Sequence, residues 1–322
     1  MACSPVKLKQ LYKGYNHEGK HSRALFHYEN GFVVGGQDGV YSIFDKDFNK
    51  ITDSLSGGTD LRDVYVRGDG SIIFINSGDD GKIWKVSPGG KSVKLVYNQK
   101  EVFLDGIAFW NDLYGVAYGD PVNGKFLVLI TLDGGEIWRQ VDYNLIPYAL
   151  PNEAGFAASG TGIAAVGEST IYIGTGMADT ARLYRSIDMG LNWEIKSTPL
   201  KAGDSYGIYS MFFWSENEGI IVGGSYKEPE DTLNNCFYTA DGGNNWEKCY
   251  GLGGYTSCVH GTKDGGFLVA TGRIATFYST DKGKHWDVLM KETFYSVRVA
   301  EEMLYFSGRE GKVHVYKYSL KS

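Results

Sequence analysis

The chain of 322 residues and 35.6 kDa is long enough for one large domain or two ordinary ones, and a hydrophobic share of 43% excludes a mainly disordered chain. Gly at 44 against only 7 Pro, 14% aromatics and 23 Tyr argue for many short strands joined by tight turns. A net charge of −6 with mixed signs argues against sequence-independent nucleic-acid binding, and no apolar run of about 18 residues offers a transmembrane helix.

The N-terminus carries Cys3 and no hydrophobic stretch that could serve as a signal peptide. Two readings of Cys3 stand side by side: the lipid-accepting Cys of a bacterial lipoprotein whose signal has been cut away, or an incidental residue at a frayed end. Next comes a strand over residues 6–12, VKLKQLY, which matches the outer strand VKLVY at 93–97. From there a unit recurs: an alternating strand, a polar turn, then an apolar strand ending in Gly. The first apolar residues of successive units are Leu25, Val64, Ile107, Ile163, Met211, Cys258 and Val297, at intervals of 39 to 56 residues. Seven units of about 40–50 residues are the pattern of a β-propeller with four strands per blade. The last unit, 294–318, holds only three strands, so residues 6–12 are expected to supply its fourth and close the ring. Closure removes the open edges that a ring would otherwise expose.

Within four units the third strand ends in [Ser/Thr]-x-Asp-x-Gly-x-x-Trp, the boxes at 131–138, 186–193, 239–246 and 279–286. Asp133, Asp188, Asp241 and Asp281 are each read as capping a hairpin turn by accepting backbone N–H bonds, with Gly supplying positive φ and Trp packing beneath the blade. Their role is structural, on the side away from the channel mouth. Units one and two retain Asp45-Lys-Asp-Phe48 and Ser87-Pro-Gly-Gly90 at the same turn.

With the boxes in place, the chain resembles the bacterial neuraminidase-repeat (Asp-box) propellers that include photosystem II stability/assembly factor-like proteins, and most closely a bacterial branch often labelled "oxidoreductase". The segments that carry the resemblance are 104–121, 153–159 (EAGFAAS), 219–229 and 254–258. It implies an all-β, seven-bladed propeller that is secreted, periplasmic or envelope-associated. The oxidoreductase label has no residues behind it: the sequence holds no Gly-x-Gly-x-x-Gly between strand and helix, no CxxC and no metal-ligand spacing among its 4 Cys and 6 His. Sialidases share the boxes. Their Arg-Ile-Pro motif is absent near this N-terminus, however, and Arg273-Ile274 is followed by Ala275.

In a propeller the start of each blade's first strand and the end of its second meet at the channel mouth. The first positions are Arg23, Arg62, Asp105, Thr161, Tyr209, Thr256 and Tyr295, with Asp63 in the next ring. The loops after the second strands add Asp79-Asp80, Asp120, Tyr226, Arg273 and Arg309, and the longest non-repeat insertion, 143–159, carries Glu153. Arg23, Arg62, Asp63, Asp105, Asp120, Glu153, Tyr209, Tyr226, Arg273 and Arg309 are therefore the candidate binding residues. The competing reading is an ordinary solvated rim. No cofactor is expected, and the Asp79-Asp80 and Gly119-Asp120-Pro121 loops read either as turns or as carboxylate and carbonyl ligands of a structural Ca²⁺. The leading functional expectation is a non-enzymatic binding or assembly protein that recognises a protein or glycan partner through this face. Its rival is a carbohydrate-active enzyme, sialidase-like or another glycoside hydrolase or lyase, using Asp63, Asp105, Asp120 or Glu153. Finally, if Thr239 faces Trp246 across the fifth-unit hairpin, Cys236 lies opposite Cys249. Either a cross-strand disulfide or two buried thiols follows, since the third unit has Val128 and Val141 there.

Overall fold

A computed structural model describes residues 6–57 and 59–320. Cys3 lies outside the described residues. Seven four-stranded antiparallel sheets stand around an axis, each built from consecutive strands except the last. The innermost strands are Ser22–Tyr28, Asp60–Val66, Leu104–Phe109, Ile163–Val166, Tyr206–Phe213, Thr256–Gly261 and Ser296–Ala300. In the last sheet the outer place is taken by Val6–Tyr15, which pairs antiparallel with Lys312–Leu320 from Val6↔Leu320 to Tyr15↔Lys312. The closing strand runs three residues past the expected 6–12. Its partner is long enough to pair with them after a bulge at Leu11 shifts the register by one residue.

Five of the seven second strands are buried end to end, as Gly31–Gly36, Ile72–Ser77 and Gly219–Ser225 illustrate, because each lies inside a blade whose two faces are both covered. That explains their unbroken runs of apolar and small residues. Outer strands such as Lys50–Ser54 are exposed throughout. Among the described residues the core is accordingly divided into seven apolar clusters, one in each seam between neighbouring blades, and a smaller eighth of Phe156, Ala158, Tyr209 and Tyr255.

The four boxes sit at the turns between third and fourth strands. In the third blade Asp133 Oδ1 accepts from the backbone N–H of Glu136 (3.1 Å) and Ile137 (3.0 Å), while Thr131 Oγ1 accepts from Gly135 N–H (2.9 Å). Asp188, Asp241 and Asp281 accept from Asn192, Asn245 and His285 N–H in the same way. Gly135 has φ 81°, and a Cβ there would meet Ile73 Cδ1 of the preceding blade at 2.5 Å, so the turn leans directly on its neighbour. Of the four box tryptophans, Trp138 and Trp286 are buried, whereas Trp193 and Trp246 are half-buried. Blade one keeps the chemistry without the motif: Asp45 Oδ1 accepts from Asp47 and Asn49 N–H at 2.9 Å each.

Cys236 and Cys249 do face one another, with Cys249 N–H donating to Cys236 O at 3.1 Å, and both are free, buried thiols. Burial, then the neighbouring thiol, pushes Cys236 up from its ordinary pKa. The fifth-blade hairpin is thus held by packing against Trp286 and Leu252 rather than by a cross-link.

Candidate functional site

Five inner strands skip one residue as they pair with their neighbours, and the skipped residues are Arg23, Arg62, Asp105, Tyr209 and Ser257. A bulge leaves its extra residue without a ladder partner and re-aims the side chain. Here the effect repeats around the ring: Arg23, Arg62, Asp105 and Tyr209 all line one cavity of about 520 Å³ at the channel mouth. In blade six the ejected residue is Ser257, not the expected Thr256. It donates to Tyr295 O at 2.9 Å inside the ring. The fourth and seventh inner strands show no bulge; Thr161 and Tyr295 precede them.

The floor of that cavity is the non-repeat insertion, which runs across the channel and plugs it. Its anchor is Glu153, 4% exposed, whose carboxylate accepts from Arg182 Nε (2.9 Å) and Nη2, Thr175 Oγ1 (2.5 Å) and Leu150 N–H (2.7 Å). Ala154 then bridges Gly176, which in turn bridges Gly207. Gly207 has φ 151°, and a Cβ on it would lie 2.4 Å from Gly176 Cα. Only glycine lets three backbones approach so closely. Phe156 stacks on Tyr209 at 3.7 Å between ring centroids. After it, three successive carbonyls are each gripped by an arginine from a different blade: Ala157 O by Arg62 (2.8 Å), Ala158 O by Arg23 (3.3 Å) and Ser159 O by Arg298 (3.2 Å). Ala154 to Ala158 face the mouth, while Gly160 and Thr161 face a second cavity of about 290 Å³ on the other side.

The candidate residues divide accordingly. Arg23, Arg62, Asp105, Asp120, Tyr209, Tyr226 and Arg273 share the mouth with Tyr255 and Tyr295. Arg309 lines an adjoining side pocket of about 350 Å³ with Arg23 and Arg273. Two candidates lie elsewhere. Glu153 is consumed by Arg182 inside the plug anchor and presents no free carboxylate. Asp63 sits below the plug in the second cavity, with His260 and Arg298. There it reaches across the seam to accept from Ile107 N–H at 2.9 Å. Burial raises Asp63 to about 7, with the Arg298 charge opposing. Burial, then Arg298 and His27, lowers His260 to about 3, and its Nδ1 accepts from Val299 N–H at 3.1 Å.

Asp105 is different in kind. It is 1% exposed, and neither carboxyl oxygen has a hydrogen-bond partner among the described residues. Burial, then the charge of Asp120, raises Asp105 well above the usual carboxylate range, which favours its protonated form. Asp120 is also raised by burial, against the Gly155 N–H that it accepts at 2.9 Å. Across the ring, Arg23 lies over the Tyr295 ring at 3.9 Å, and Tyr209 and Tyr255 meet edge to face at 4.8 Å. Among the described residues no three His, Cys, Asp or Glu side chains converge as a metal-ligating group.

Sequence reasoning missed Tyr255, Arg298 and the plug's mechanical role. The plug residues 153–159 were conspicuous only as a break in the repeat, which says that a segment is extra but not what it grips. No protein-family model and no curated protein matches the chain. Among solved structures it is similar to the Neurospora crassa Pan2 WD40 domain, with a TM-score of 0.69 and 11% identity over 98% of this chain and 97% of that one. At that identity the likeness shows the fold, a seven-bladed β-propeller, and nothing finer.

Proposed function

We propose that the chain is a non-enzymatic binding propeller that recognises a protein or glycan partner through its plugged mouth, and that it belongs with the Asp-box propellers of the photosystem II stability/assembly factor-like type. The observation that carries the binding reading is the repeated bulge, which sets Arg23, Arg62 and Tyr209 above a floor sealed by the plug. Rigid, pre-organised arginines and tyrosines bind with little ordering cost, and these residue types dominate recognition surfaces. The four box turns support the family reading. No helix among the described residues is long and apolar enough to cross a membrane. An envelope or secreted location, with Cys3 as lipid acceptor, belongs to the same proposal, and mass spectrometry of the N-terminal peptide from native membranes tests it.

The binding reading is tested by pull-down from envelope extracts and a glycan array, run with the wild type and with Tyr226→Ala; Tyr226 is 41% exposed in the mouth. Capture that the substitution abolishes is expected. Capture unaffected by it would place the binding face elsewhere. A second reading, a carbohydrate-active enzyme, is favoured by one observation: the proton-favouring Asp105 packs with Asp120 against Gly155, two carboxyls in unlike environments. A glycosidase screen with wild type and Asp105→Asn separates the two; turnover lost in the variant would install the enzyme.

A further inference from the structure

The mouth is electrically polarised. Arg23, Arg273 and Arg309 converge from blades one, six and seven on the side pocket, and no carboxylate lines it. Arg62, Arg67, Arg182 and Arg185 each have a carboxylate partner, but among the described residues none lies within ion-pair distance of these three. Their donors are largely unspent. Arg23 gives one N–H to Ala158 O, Arg273 gives one to Tyr226 O at 2.9 Å, and the side chain of Arg309 gives none among the described residues. A guanidinium offers five N–H donors in a fixed fork suited to carboxylate or phosphate. Three such forks without an anion repel one another across a shared concavity.

The opposite end is the reverse. Asp105 holds two buried carboxyl oxygens with no partner among the described residues, beside Asp120. A buried polar atom left unpaired is costly unless something supplies the missing bond. Arg62, whose charge acts on Asp105, is already taken by Asp60 (2.8 Å) and by the plug carbonyl of Ala157. It therefore leaves the need at Asp105 unmet. The same cavity has an aromatic wall in which Tyr226 is 41% exposed, with Tyr255 and Tyr295 beside it.

We infer that the mouth takes a two-ended, amino-acid-like ligand, with its carboxylate against Arg23, Arg273 and Arg309 and its ammonium against Asp105 and Asp120. A cation beside them draws Asp105 and Asp120 to their ionised forms, so the ammonium supplies both the donor and the counter-charge that the Asp105 oxygens lack, and the carboxylate supplies the acceptor that the arginines lack. The tyrosines cover the uncharged body between. This inference rests on the mouth being the binding face.

The test is calorimetric titration of the full chain, at low salt, with ω-amino acids of increasing length from glycine to 8-aminooctanoate. Hexanoate and hexylamine serve as single-charge controls. One chain length is expected to bind at least about tenfold tighter than either control, because each charged hydrogen bond is worth about that factor. Arg309→Ala, at an exposed and unpaired side chain, should remove the advantage over hexylamine. Asp105→Asn, isosteric, should remove the advantage over hexanoate. Circular dichroism confirms that both variants are folded. If no length outbinds both controls, or if the two substitutions leave the ranking unchanged, the inference is overturned. Partner capture by the wild type that Tyr226→Ala abolishes, with no ω-amino acid bound, would sink the inference and leave the mouth as the binding face.

Discussion

Glu153→Ala tests whether the plug is held as described. The carboxylate is fully enclosed and its partner Arg182 is only 11% exposed at the side chain, so truncation strands a guanidinium in a site built around a counter-charge. Breaking a buried pair from one side costs about 3–5 kcal/mol. Scaled to 322 residues, the usual unfolding entropy of about 2 cal/mol/K per residue converts that to a fall in Tm of about 5–8 °C. Thr175, Leu150 and Tyr184 lose an acceptor at the same time, which places the value toward the upper end. Differential scanning calorimetry reads the shift. The double variant Glu153→Ala/Arg182→Met should recover part of the loss, since both halves of the pair are then gone. Limited proteolysis should cut within 154–160 in the single variant and not in the wild type. A Tm within about 1 °C of wild type, or a double variant worse than the sum of its parts, would refute the anchor.

Deleting residues 1–15 uncovers the strand Lys312–Leu320 and takes Val6 and Leu8 out of the apolar cluster that holds Phe267 and Tyr318, so a loss of several kcal/mol in denaturant unfolding is expected; unchanged stability would contradict closure by this strand. Asp63 has a folded pKa of about 7, above its unfolded value. The unfolded chain is then the less protonated state between about pH 4 and 7, so this group removes stability as pH rises through that window. Asp63→Asn should therefore gain on the wild type by at most about 4 kcal/mol across it; parallel pH profiles would show that Asp63 is not held protonated. Asp241→Ala removes the acceptor for Asn245 N–H at an exposed turn, and should cost about 1–2 kcal/mol while leaving partner binding intact. Cys236, Cys249 and Cys258, all buried, should react with a thiol reagent only on unfolding; rapid reaction of any of them in the native protein would contradict their placement.

The ring was legible because each blade repeats a local solution. Asp133, Asp188, Asp241 and Asp281 make turn bonds within four residues of themselves, and such chemistry can be read from spacing alone. The mouth was partly legible for the same reason: a repeat fixes where first positions fall, and Arg23, Arg62, Asp105 and Tyr209 fell there. What could not be read was the register shift that ejects them, because a bulge depends on how two strands pair. In blade six the spacing accordingly points to Thr256, whereas the pairing ejects Ser257. Asp63, one residue inside, follows the pleat to the far side of the plug. Glu153 looked like a free carboxylate because its partner Arg182 lies 29 residues away, in a strand that offers no local sign of the contact. The Cys236–Cys249 pairing was derived from register and is present as register, with thiols at both positions.

Hydrogen–deuterium exchange of the chain saturated with its captured partner tests the central claim that the plugged mouth is the binding face. Protection is predicted in residues 154–158 and around Tyr226 and Arg273, with none at the box turns near Asp133 or Asp241. Protection confined to those turns or to the outer strands would contradict it.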